Sequence, residues 1–208
     1  MATRLDALCH PGWLIRYLKN GTPLISNWQK YAPKGATADD IATFVTQQTA
    51  ATLTWSDIER FRELWPRKFV LKGIMHPQDA LRAAELGVDG IMVSNHGARQ
   101  LDRAPAPLDV LPAIQAEVGD RMTLMMDGGI RRGADIVTAF ALGVQFIFMG
   151  RPTLYGAAAA GQAGASHVIG ILRNEIETNM RQMGCTSLDQ LPEFLMWDEP
   201  EDLRRNKA

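Results

Sequence analysis

Between Phe69 and Gly161 one unit recurs: a short apolar run, a polar turn, and a helical pattern that stops at a glycine. This repetition constrains the fold more than any other feature of the chain. The runs are Phe69-Val70-Leu71, Gly90-Ile91-Met92-Val93, Met122-Thr123-Leu124-Met125-Met126 and Gln145-Phe146-Ile147-Phe148-Met149. They are too short for helices and apolar at successive positions, so they predict parallel strands covered on both faces. The intervening patterns predict helices over residues 77–86, 108–118 and 134–142, stopped at Gly87, Gly119 and Gly143. Pro77 at the first start and glycine after each end are the usual punctuation. Alternation of this kind predicts a parallel α/β sheet with right-handed crossovers.

Upstream, residues 36–48 and Trp55–Leu64 read as amphipathic helices, with Thr54 or Ser56 as the cap of the second. Downstream, residues 166–183 read as a long helix, and the chain becomes a charged tail from Pro192. These divisions predict a helical lead-in over 1–66, a strand–helix region over 67–191 and a tail over 192–208.

Composition narrows the function classes. Lys plus Arg (22) balances Asp plus Glu (23), which argues against a nucleic-acid partner. Any anion site must therefore be local. Cys9 and Cys185 form neither a disulfide framework nor a metal cluster, so reduced, mostly buried thiols and no metal site are expected. No signal-like segment or run of spanning length is present in these residues, which predicts a cytoplasmic protein. Docking of the Trp- and Lys-containing N-terminal stretch at the inner face of a membrane is the second expectation.

The residues that look chemical all follow strand ends, the position used by active sites in both (β/α)8 barrels and doubly wound sheets. No GxGxxG follows the first strand, which counts against a dinucleotide domain. Lys72 closes the first run, and an isolated ammonium at a buried strand end needs an anion or a route to water. Ser94-Asn95-His96-Gly97-Ala98-Arg99 closes the second. An imidazole titrating near neutrality can take a proton, and a nearby guanidinium can hold a carboxylate in a bidentate pair. A capped turn with a surface arginine would use the same residues. Asp127-Gly128-Gly129-Ile130-Arg131-Arg132-Gly133 closes the third, and Gly150-Arg151 the fourth. Glycines that free backbone N–H groups, with Arg131 or Arg132 beside them, suit a phosphate. Tight turns with salt-bridged surface arginines would also need them.

Together, Lys72-Gly73, Ser94-Asn95-His96-Gly97-Ala98-Arg99-Gln100-Leu101-Asp102, Asp127-Gly128-Gly129-Ile130-Arg131-Arg132-Gly133 and Gly150-Arg151-Pro152 resemble the FMN-dependent α-hydroxy-acid oxidase and dehydrogenase family. The similarity runs over about residues 10–191. The resemblance implies the C-terminal half, strands five to eight, of a TIM (β/α)8 barrel. It implies FMN as cofactor, and oxidation of a small 2-hydroxy acid of lactate, glycolate or mandelate type to the 2-oxo acid, with oxygen, a quinone or a cytochrome taking the electrons. By the same resemblance His96 is the base and also touches substrate, and Arg99 anchors the substrate carboxylate. Lys72 and Ser94 face the flavin. Asp127, Gly128, Gly129, Ile130, Arg131, Gly150 and Arg151 hold the ribityl phosphate.

In the family the other half supplies substrate-contacting tyrosines, a second arginine and the aspartate that orients the histidine. No residues here match that half. The expectation is therefore weak or absent activity for this stretch alone, unless it pairs with another copy or with a separate first half. The alternative is a non-catalytic phosphate- or FMN-binding half-barrel that serves as an assembly partner.

Overall fold

The structure is a computed structural model that describes residues 6–22, 24–48 and 53–196. Its contacts divide the chain into two units, Met1–Trp55 and Ser56–Ala208. The first unit contains α1 (Pro11–Asn20), α2 (Ser26–Gln29) and α3 (Ala38–Gln48). Sequence reading missed α1, although Pro11 occupies its first turn, where a missing N–H costs nothing. Thr37 and Asp40 start α3 by exchanging backbone-to-side-chain hydrogen bonds of 2.9 and 3.2 Å. Trp28 meets Phe44 edge-on at 6.3 Å, joining α2 to α3.

The second unit opens with most of α4 (Trp55–Leu64), which hydrogen bonds tie to the strand region. Arg62 reaches forward to Asp89 at 2.9 Å and to the carbonyl of Arg67 at 2.8 Å. Asp89 also accepts from Lys68 Nζ at 2.7 Å and from the Phe69 N–H at 2.9 Å. The Lys68 ammonium and the Phe69 amide hold its carboxyl down at about 2.

Four strands follow: β1 (Val70–Lys72), β2 (Gly90–Val93), β3 (Thr123–Met126) and β4 (Phe146–Ile147). They pair in sequence order, and every pair is parallel. Between them run α5 (Pro77–Glu85), α6 (Pro107–Val118) and α7 (Gly133–Ala141), within one or two residues of the predicted bounds. His76 starts α5 by accepting the Gln78 N–H on Nδ1 at 3.2 Å, and Pro77 sits in the first turn. Gly87 and Gly143 take positive φ, as helix-ending glycines do, but Gly119 stays right-handed. Gly119 instead leaves room for Gln115, whose Nε2 would lie 2.2 Å from an added Cβ.

The last helix, α8 (Arg151–Met183), joins the helix start expected after Gly150-Arg151 to the long helix expected over residues 166–183, and it bends at Ala160 and Gly161, where Gly161 has φ 58. A 3-10 stretch, Leu188–Phe194, includes Pro192, where the charged tail is expected to begin; residues 197–208 of that tail lie outside the described residues. Val137 of α7, Cys185 and Leu191 form a buried cluster under the 3-10 stretch. Cys185 is buried as expected, whereas Cys9 is exposed. Among the described residues there is no metal-type cluster, and no helix is long and apolar enough to cross a membrane.

Register shows which face of the sheet is covered. Leu71, Ile91 and Leu124 align in one row, and Val93, Met126 and Ile147 alternate with it. Ile91, Val93, Leu124 and Met126 are fully buried, each burial stabilising by roughly 1.5–3 kcal/mol. Because strand side chains alternate, Lys72, Met92, Met125 and Phe146 form a row on the opposite face. There Val70 and Phe146 are 40% and 58% exposed. The expectation of cover on both faces therefore holds for one face only.

Candidate active site

All four strands point their C-terminal ends the same way, which brings the four sequence motifs to one rim. An open groove of about 1000 Å³ lies there, lined by His96, Arg99, Asp127–Arg131, Gly150 and Arg151, among others. Every predicted site residue lines it except Lys72 and Ser94. Those two connect to it through Asp127, whose carboxylate pairs with Lys72 Nζ and accepts from Ser94 Oγ. Lys72 Nζ is also 2.7 Å from Ser94 Oγ. Lys72 has an anionic partner in Asp127 and also reaches water, with 46% of its side chain exposed. Ser94 is the buried member of the trio. An ammonium, a hydroxyl and a carboxylate are thus held together at the C-terminal ends of three adjacent strands.

The His96 loop is held by its own neighbours. The His96 N–H donates to Ser94 Oγ at 3.1 Å, and the Gly97 N–H to Asn95 Oδ1 at 3.0 Å. Asn95 Nδ2 ties the turn to the carbonyl of Pro105 at 3.2 Å. Sequence reading noted Asn95 only as a flank; its role as the clamp of this turn needed the fold. His96, Gly97 and Ala98 all have φ between 55 and 66, a conformation that costs a non-glycine residue roughly 1–2 kcal/mol. The result is that His96 and Arg99 are both exposed at the groove, and neither imidazole nitrogen is hydrogen-bonded among the described residues. Gly97 is required by approach as well as by φ. Arg151 Nη2 donates to the Gly97 carbonyl at 2.6 Å, and a Cβ on Gly97 would stand 2.3 Å from that nitrogen.

The Asp127–Gly133 loop answers which donors are free. The Arg131 and Arg132 N–H groups both donate to Asp135 Oδ2, at 2.7 and 2.8 Å. The Gly133 N–H donates to Glu175 Oε2 at 2.6 Å, and Arg132 pairs with Glu175 Oε1 at 2.7 Å. The N-terminus of α7 is therefore occupied by carboxylates. Arg132 is engaged, which leaves Arg131 as the guanidinium at the groove. The amides of Gly128 and Gly129 have no partner among the described residues. The first turn of α8 carries no acidic residue and no side-chain cap, so its positive end is open beside them. Two backbone amides, two guanidinium groups and an open helix N-terminus fit a phosphate monoester. Phe148, Leu154 and Tyr155 give the same groove an apolar wall, with Leu154 and Tyr155 exposed to 62% and 61%. Sequence patterning assigned them to a strand end and a helix start, with no sign that they meet.

The chain is 36% identical over 192 residues to the (S)-mandelate dehydrogenase of Pseudomonas putida, covering 92% of this chain and 48% of that protein. It is 49% identical over 149 residues to the L-lactate oxidase of a Nostoc strain, covering 72% of this chain and 41% of that protein. The crystal structure of the monotopic membrane protein (S)-mandelate dehydrogenase superposes with a TM-score of 0.84 at 36% identity, covering 90% of this chain and 49% of that one. The chain thus spans about half the length of the curated relatives it matches. With residues 1–198 matching the FMN-dependent dehydrogenase family, the chain belongs to that family.

Proposed function

We propose that this chain is the half of an FMN-dependent 2-hydroxy-acid oxidoreductase that carries the base, the carboxylate anchor and the phosphate grip. The observation that carries the reading is the convergence of His96 and Arg99 with Arg131, Gly150 and Arg151 on one groove. Its fold is taken to be the second half of a (β/α)8 barrel. The four-stranded, all-parallel sheet in sequential order supports this, as does the open face bearing Val70, Met92, Met125 and Phe146. In a closed eight-stranded barrel that face is the packed interior.

When bound, FMN supplies a two-electron acceptor for the carbon that carries the substrate hydroxyl. The remaining work falls to side chains of this chain. Gly128, Gly129, Arg131 and Arg151 grip the phosphate and so fix the cofactor's register along the rim. Lys72 brings positive charge to the flavin's pyrimidine side, where reduction leaves negative charge, and Ser94 fixes Lys72 and Asp127 together. Arg99 holds the substrate carboxylate in a bidentate pair, and His96 takes a proton from the substrate. No described residue hydrogen-bonds the imidazole, and the expectation for the isolated stretch remains slow turnover or none. The experiment is a spectral titration with FMN, followed by anaerobic lactate, glycolate or mandelate. Yellow protein bleached by one of them supports the enzyme reading, whereas colour that never bleaches supports a scaffold.

We also propose a peripheral membrane location for the first unit. α1 presents Trp13, Leu14, Ile15, Tyr17 and Leu18 on one arc and Arg16, Lys19 and Asn20 on the other. Ile15 and Leu18 are 66% and 74% exposed, and no acidic residue occurs between Asp6 and Asp39. This is the pattern of an interfacial helix for anionic lipid. The relative described as monotopic supports the same reading. Sedimentation with anionic vesicles, lost in Trp13→Ser/Leu18→Ser, checks it; equal sedimentation of parent and variant refutes it.

A further inference from the structure

Glu175 lies on α8, forty-two residues beyond Gly133, and no sequence motif includes it. Its side chain is only 20% exposed, and its two oxygens have different partners. Oε2 takes the Gly133 N–H at 2.6 Å, and Oε1 takes Arg132 Nη2 at 2.7 Å. A carboxylate at this depth is held by both contacts, because a half-buried charge must be matched by donors.

We infer that Glu175 is a positioning residue for the phosphate grip, acting through Gly133 and Arg132 rather than by touching the ligand. Three arguments carry this. The Gly133 N–H directly follows the two amides that Asp135 takes at the N-terminus of α7. Glu175 occupies it, so an incoming anion is directed away from α7 and toward the Gly128-Gly129 amides and the open first turn of α8. The same carboxylate draws Arg132 back onto α8, which leaves Arg131 as the groove-facing guanidinium of two adjacent arginines. Finally, Gly133 fits against Glu175 and Ile176 with no space for a Cβ, so the contact fixes the loop relative to the helix whose first turn forms the other side of the grip. The inference rests on the phosphate reading above, and its test separates the two.

Affinities for FMN and for riboflavin, which lacks the phosphate, are measured by flavin fluorescence on the parent chain, Glu175→Ala and Glu175→Gln. The parent chain is expected to bind FMN more tightly than riboflavin. Glu175→Ala is expected to weaken FMN about tenfold with riboflavin unchanged, the scale of one charge-assisted hydrogen bond. Glu175→Gln keeps an acceptor for Gly133 and loses the Arg132 ion pair, so FMN should weaken about threefold. An FMN-to-riboflavin ratio equal to the parent's in the variants overturns the inference, as does equal weakening of both ligands, which is the mark of a merely structural residue. If Glu175→Ala does not fold, Glu175→Gln decides by the same ratio. No preference for FMN in the parent chain removes the phosphate reading first, and this inference with it.

Discussion

Gly133→Ala tests the packing that sets the phosphate loop. Gly133 is buried at the start of α7, and a Cβ there would lie 2.5 Å from Glu175 Cβ, 2.7 Å from Ile176 N and 2.8 Å from the Glu175 carbonyl carbon. Carbon atoms at rest approach to about 3.5–4.0 Å. The helices must therefore separate by roughly an ångström, because two of the three obstructing atoms are backbone and cannot rotate aside. Overpacking of this kind costs about 1–3 kcal/mol. The separation also stretches the 2.6 Å bond from the Gly133 N–H to Glu175, whose loss costs roughly 1.5–3 kcal/mol. The better helix propensity of alanine returns at most about 1 kcal/mol. A net loss of about 3 kcal/mol corresponds to a fall in Tm of roughly 6–12 °C for a chain of this size. Thermal unfolding followed by far-UV circular dichroism reads it. Gly170→Ala on α8, the helix that Gly133 packs against, is the control, since a Cβ there meets nothing within 4 Å, and it should leave Tm unchanged or raise it. An unchanged or raised Tm in Gly133→Ala would refute the close crossing of α7 and α8.

The remaining predictions concern charge and the groove. Asp89 has a carboxyl lowered to about 2 from 3.8, so its contribution to stability is fully present above pH 4 and disappears as pH falls through about 2. Asp89→Asn should therefore lower Tm at pH 6 and approach the parent's Tm near pH 2; a Tm gap that does not narrow contradicts this. Gly97→Ala puts a Cβ 2.3 Å from Arg151 Nη2, displaces that guanidinium and should weaken FMN binding about tenfold in a fluorescence titration. His96→Gln should slow substrate bleaching of bound flavin about 10²–10⁴-fold and leave FMN affinity intact, as loss of a general base does.

Much of this was legible in the residues because strand–helix punctuation is local. Pro77 and the glycines at 87 and 143 marked helix ends to within two residues. The four motifs met on one rim because parallel strands must all end on the same side. What was not legible depends on contacts distant in sequence. Arg131 and Arg132 are equivalent in a string, and only Glu175, folded back from α8, distinguishes them. Lys72 reads as an ammonium that needs an anion or a route to water, but that the anion is Asp127, fifty-five residues later, is visible only in the fold. The open face is not legible in the apolar runs themselves, which look alike whether a second layer covers them or not; only the resemblance to half of a barrel implied an exposed wall.

The central claim is that this groove seats FMN with its phosphate between the Gly128–Arg131 loop and the first turn of α8. A crystal structure of the chain soaked with FMN tests it most directly. The account predicts phosphate oxygens within hydrogen-bonding distance of the Arg131 and Arg151 guanidinium groups and the Gly128 or Gly129 amide, with the flavin ring turned toward Lys72 and His96. A phosphate seated at the N-terminus of α7 in place of Glu175, or flavin bound at the opposite end of the strands near Asp89 and Asp120, would contradict it.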